Sequence, residues 1–197
     1  MKVKLSNVRL AFPNLFEAKQ IQDSDAKFSA AFIFGQDHGA VTALKKAMQT
    51  VAKEKWGEKA PAVYKQLQAQ DRLALHDGVT KSQYEGYDGR MFINATNSLR
   101  PTVLDRDKTP LVATDGRLYA GCFVNAVVEL WAMDNKFGKR VNASLMGVQF
   151  FADGDRLAGG AVASEDDFEP IDLPGDEDDI FGGEVGEADD DDDDIPF

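Results

Sequence analysis

A mainly β body with one or two inserted helices, followed by a disordered acidic C-terminal tail, is the fold class that the sequence predicts. Alternating apolar and polar residues recur up to Ala152, and one apolar stripe at helical spacing interrupts them. Beyond about Ala163 the pattern dissolves into Asp, Glu, Gly and Pro, a composition that buries too little surface to offset ordering entropy.

Residues 2–12 alternate in the period of a half-exposed strand, with Lys2, Lys4 and Arg9 facing solvent. Residues 27–34 read as a second strand with Phe28, Phe32 and Phe34 on a core face. Asp37 is placed to cap a helix whose Val41, Leu44, Met48 and Val51 share one stripe, ending near Trp56 with Gly57 as its stop signal. A shorter helix follows over Pro61–Ala69. The Gly-rich segment Asp77–Gly89 reads as an exposed loop carrying Tyr84 and Tyr87. The next strand sets Arg90, Phe92 and Asn94 against Met91, Ile93 and Ala95, one face buried and one available. Arg100–Lys108 is a basic connection, and the turn Thr114–Arg117 leads into a long strand, Gly121–Met133. Asp134–Gly138 then reverses the chain into a last strand, Lys139–Ala152. Such strands, with a helix after the second, fit a curled antiparallel sheet such as a five-stranded Greek-key barrel, and periodicity alone fits a sandwich equally well.

Charge divides the chain more sharply than hydropathy does. Of 34 acids, 17 lie between Glu165 and Phe197, where there is no Lys or Arg, so the other 17 share the body with all 22 bases. The net −12 therefore splits into a body of +5 and a tail of −17. The expected organisation is a folded domain over 1–163 and a disordered partner-binding tail over 164–197. No apolar run approaches the roughly 18 residues that span a bilayer, and the start Met1-Lys-Val-Lys-Leu lacks a signal-peptide core. A cytoplasmic protein is expected. The lone Cys122 reads as a small core residue, and Trp131 as core.

Two features carry chemistry. Aromatic and basic residues interleave in Lys81, Tyr84, Tyr87, Arg90, Phe92, Arg100, Arg106, Lys108, Tyr119, Lys139 and Arg140, the composition of a stacking platform. Nucleobases stack on rings whatever their identity, while Lys and Arg neutralise phosphates, so this set is the expected DNA-binding surface. Exposure is expected for Tyr84 and Tyr87 from their loop; for Phe92 core and stacking roles stay open. The second feature is the terminal run Asp191, Asp192, Asp193, Asp194, Ile195, Pro196 and Phe197, a charged leash ending in an aromatic anchor. A partial echo stands at Asp178-Asp-Ile-Phe181.

The acidic run ending Asp-Ile-Pro-Phe resembles the tail of bacterial single-stranded-DNA-binding proteins, whose terminal segment docks on partner proteins. The body, through Asp77-Gly-Val-Thr-Lys81, Tyr84-Glu-Gly-Tyr87, the strand from Arg90 and the Arg100-Pro101 turn, resembles phage single-stranded-DNA-binding proteins. That resemblance spans about residues 1–152. It implies an OB fold with nucleotides laid across the sheet, and polymerase, primase or recombinase-class partners for the tail. For such a protein in phage replication, recombination or repair, the host cytoplasm is the expected location; related OB-fold binders are monomers, dimers or tetramers. Tethered to a basic body, the tail is expected to compete with DNA.

An enzyme is not expected. His38 and His76 lack ligand-like spacing, no phosphate loop or nucleophile constellation is present, and no metal or other cofactor is expected. The remaining rival is a DNA mimic that inhibits or recruits a DNA-processing enzyme. A mimic spreads carboxylates over its folded surface, whereas here they concentrate in the tail.

Overall fold

Alternation over the first residues produces β1 (Lys2–Lys19), which buries Val3, Leu5, Val8, Leu10 and Leu15 and leaves Lys2 and Lys4 in solvent. Residues 1–20 and 25–157 are described by the structure, a computed structural model. The strand slips register three times, between Leu5 and Val8 against one neighbour, and between Ala11 and Asn14 and again between Asn14 and Lys19 against the other. A bulge of this kind re-aims the side chains beyond it, which is how the apolar residues keep facing inward. Asn7 and Phe12, in the first two slips, have positive φ of 51° and 47°.

β2 (Lys27–Gly35) turns Phe32 and Phe34 into the core, with Phe28 partly buried beside them, as the sequence predicts. The cap of α1 (Gly39–Trp56) differs from expectation. His38, not Asp37, is the N-cap: the chain folds back through a His38 N–H to Gly35 carbonyl bond of 3.1 Å, and the His38 Nδ1 accepts from the Ala40 N–H at 3.1 Å. The stripe Val41, Leu44, Met48 and Val51 is buried, and Gly57, at φ 53°, ends the helix by donating to the Lys53 carbonyl. α2 (Ala60–Ala69) follows with Pro61 in its first turn, where a missing N–H costs nothing.

The remaining strands are β3 (Leu75–Asp77), β4 (Arg90–Asn97), β5 (Thr102–Leu104), β6 (Phe123–Asn135) and β7 (Gly138–Ala152). β1 pairs antiparallel with β2 and β6, β2 with β4, and β6 with β7. β4 and β7 then meet in parallel at Thr96 and Ser144, closing the barrel β1-β2-β4-β7-β6. This is the OB-like five-stranded barrel, antiparallel except at that closing contact, with β3 beside β4 and β5 beside β7. Its interior and the stripe of α1 form one apolar cluster that includes Leu5, Phe32, Leu44, Ile93, Leu130 and Leu145. Cys122 is buried within it as expected, and burial pushes its thiol up to about 11.

Among the described residues no helix is long and apolar enough to cross a membrane. The chain divides into two units, Met1–Gly160 and Ala161–Phe197, and all described residues belong to the first. The expected tail, with its run Asp191–Phe197, lies outside the described residues.

Candidate nucleic-acid interface

The segment between β3 and β4 is packed onto the barrel, where the sequence predicts an open loop. Asp77 starts it: its Oδ1 accepts from the Val79 N–H at 3.0 Å, and the Thr80 hydroxyl donates to its carbonyl at 2.8 Å. Gly78 lets the segment close, since a Cβ there would lie 1.9 Å from the Tyr87 carbonyl oxygen and 2.7 Å from that of Arg90. Closure carries Tyr87 onto the outer face of the barrel, where it meets Ala11, Ala31, Ile33 and Phe92 in a second, smaller apolar cluster. The expected exposure of Tyr87 is therefore corrected. Its ring is 1% exposed and Phe92 is 2% exposed, so neither presents a free face for stacking. The alternation of β4 is as predicted, with Ile93 and Ala95 in the main core, but the segment covers Phe92 on the other side.

The Tyr87 hydroxyl is buried without a hydrogen-bond partner among the described residues, and burial first, then the nearby Tyr84, pushes it up to about 12. Its folded-state value lies above the unfolded value of 10, so the associated stability is complete below about pH 10 and lost as pH rises toward 12. Tyr87→Phe removes an unmade hydrogen bond and keeps the ring. It is expected to raise stability by about 1 kcal/mol near neutral pH and to abolish that alkaline loss, as read from denaturation midpoints.

Around this cluster stands a more open rim. Phe12 is 46% and Tyr84 44% exposed, with ring centroids 5.2 Å apart at 82°. The Lys81 ammonium lies 4.8 Å from the Phe92 centroid, 5.4 Å from that of Tyr87 and 5.8 Å from that of Phe12. Its pKa is lowered by desolvation. Arg90 is exposed at the start of β4.

The His76 ring stacks on Phe92 at 5.2 Å, its Nδ1 2.8 Å from Asp71 Oδ1. His76 also lines a groove of about 540 Å³ with Asn94, Thr96, Trp131, Arg140 and Ser144. Trp131 is thus corrected from core to surface: it is 43% exposed, and its Nε1 donates to Ser144 Oγ at 3.0 Å. The phase of β6 explains this. Val124, Ala126, Val128 and Leu130 point inward, so Trp131, the next residue, points out. At the tip of the β6–β7 hairpin Phe137 is exposed with the Lys136 ammonium over its ring, and Lys139 pairs with Asp134 at 3.5 Å.

The structure thus joins Lys81, Tyr84, Tyr87 and Phe92, and brings Arg140 to a groove that reaches them through His76. Arg90 and Lys139 do not line that groove, and four further expected contacts lie elsewhere. Tyr119 donates through its hydroxyl to Gly154 and lies under Arg156; Arg106 sits over Phe150 and donates to the Phe151 carbonyl at 2.7 Å. Arg100 lies over Phe16, and Lys108 occupies a turn at φ 70°. Phe12, His76, Trp131 and Phe137 are surface rings the sequence reading missed. Carrying the alternation of β6 one residue past Leu130 would have placed Trp131 outward.

The model of the family described as the single-stranded-DNA-binding protein of Enterobacter phage Enc34 matches residues 1–181. A putative protein, p50, of Acyrthosiphon pisum secondary endosymbiont phage 1 is 45% identical over 88% of this chain and 95% of its own length. The fold is similar to that of the Enc34 single-stranded-DNA-binding protein solved with single-stranded DNA, at TM-score 0.67 and 25% identity over 80% of this chain and 89% of that one. The single-stranded DNA-binding protein gp2.5 of bacteriophage T7 shares the fold at TM-score 0.53 and 14% identity, covering 85% of this chain and 92% of its own.

Proposed function

The chain belongs to the phage single-stranded-DNA-binding family of the Enc34 type, and from its outer surface we infer how it holds the strand. It binds single-stranded DNA in phage replication. We place the strand in the groove of Trp131, Asn94, Thr96 and Arg140 and onward past His76 to Lys81, Tyr84 and Arg90. The observation that carries this is Trp131: a large ring left 43% exposed on the outward phase of β6, lining one groove with Arg140. Stacking on rings and pairing of Lys and Arg with phosphates read no base edge, so binding is independent of sequence. Its role is binding without a catalytic step.

In this reading the tail, through Asp191–Asp194, Ile195, Pro196 and Phe197, recruits polymerase, primase or recombinase-class proteins in the host cytoplasm. The support is chemical: a run of carboxylates speeds encounter with a basic partner, and a single aromatic residue supplies a geometric anchor.

Trp131→Ala is expected to weaken oligo-dT binding by about five- to a hundredfold, the cost of one lost base stack, with little change in thermal midpoint because the ring is a surface group. Arg140→Ala is expected to flatten the salt dependence by about 0.7 log unit per log salt. Wild-type affinity in both variants would remove the groove from the path.

A further inference from the structure

Resting on that reading, we infer that Phe12 and Tyr84 form a second base-stacking station, linked to the Trp131 groove through Tyr87, Phe92 and His76. The backbone at Phe12 is the first argument. Among the described residues four non-glycines have positive φ, and Asn7, Asp71 and Lys108 are polar; Phe12, at φ 47°, is the one large apolar residue held there. Asn and Asp adopt the left-handed region through local hydrogen bonding, but a bulky ring gains nothing from it. Such strain persists where the surrounding structure imposes it, and it collects at ligand sites.

Burial does not repay the strain, since the ring stays 46% exposed. The slip of β1 between Ala11 and Asn14 instead has the effect of setting Phe12 beside Ala11 on the outer face, over the Tyr87 cluster. There it meets Tyr84, 44% exposed, at 5.2 Å and 82°. Two rings at right angles make a corner: a planar base lying flat on one ring presents its edge to the other, both favoured aromatic geometries. The Lys81 ammonium, 5.8 Å from the Phe12 centroid, puts a cation beside the corner for the phosphate of the same nucleotide.

The test uses the full chain with Phe12→Asn and Phe12→Trp, titrated with fluorescent oligo-dT while thermal midpoint and tryptophan emission are followed. Asn tolerates the backbone and lacks the ring, so it is expected to keep or raise the midpoint while weakening oligo-dT about five- to a hundredfold. Phe12→Trp restores a stacking face and is expected to bind within a few-fold of wild type. A midpoint that falls together with affinity in Phe12→Asn would make the ring a packing residue and overturn the inference. So would wild-type affinity in Phe12→Asn with Trp131 still quenched by oligo-dT, which leaves the groove reading intact and makes the corner a patch of another kind. If the wild-type chain itself fails to bind oligo-dT, the groove reading falls and this station with it.

Discussion

Gly78→Ala is expected to cost about 1–3 kcal/mol or more of stability and to lower oligo-dT affinity at least tenfold, on the order of one or more lost stacks. The new Cβ would lie 1.9 Å from the Tyr87 carbonyl oxygen, a backbone atom that no rotamer change can move. Relief requires the 78–87 segment to lift, which uncovers Phe92 and removes Lys81 and Tyr84 from their places. Gly39→Ala, in the first turn of α1 with nothing within 4 Å, is the control and is expected to be neutral or slightly stabilising. Denaturation midpoints and an oligo-dT titration on both variants check this. A Gly78→Ala protein with unchanged midpoint would mean the packed segment is not what shapes the site.

Deleting residues 165–197 takes the formal charge from −12 to +5, and on the order of a tenfold gain in DNA affinity is expected at low salt. Leu157, the last described residue, packs on the Tyr87 cluster beside Gly86, and the sequence after it carries the 17 acids of residues 165–197. A polyanion on the same chain is expected to compete with phosphates for the body's cations. Screening discriminates. With a Debye length of about 30 Å at 0.01 M salt and about 3 Å at 1 M, full-length and truncated curves should separate at low salt and converge at high salt. A duplex of equal length should gain as well, since it also loses a competitor for the body's cations. Equal affinities at low salt would show that the tail does not compete with DNA.

How far the sequence could be read depended on whether the deciding interaction was local. The five barrel strands, the stripe of α1 and its stop at Gly57 follow from periodicity and caps, and so does the inward turn of Phe32 and Phe34, whereas the three-residue strands β3 and β5 were not expected and β5 lies within the segment read as a basic connection. The barrel itself was legible only with the resemblance, because its closure is the non-local meeting of β4 with β7, where Thr96 pairs with Ser144 and the Asn97 amide donates to the Leu145 carbonyl. Trp131 could have been placed outward by carrying the phase of Val124, Ala126, Val128 and Leu130 one residue further. Tyr87 could not have been placed. Its burial depends on Gly78 meeting its carbonyl and on Ala11, Ala31 and Ile33 from other strands, none of which its loop context reveals. Phe12 was hidden for a related reason: within an alternating run nothing marks where the strand slips.

The most direct test titrates the full chain into fluorescent oligo-dT and into a duplex of the same length at two salt concentrations. Tighter binding of oligo-dT than of duplex is expected, with affinity falling about 0.7 log unit per log salt for each phosphate neutralised and tryptophan emission quenched as Trp131 stacks. Equal affinity for both forms without quenching, or no binding to either, would contradict a stacking groove on the barrel surface.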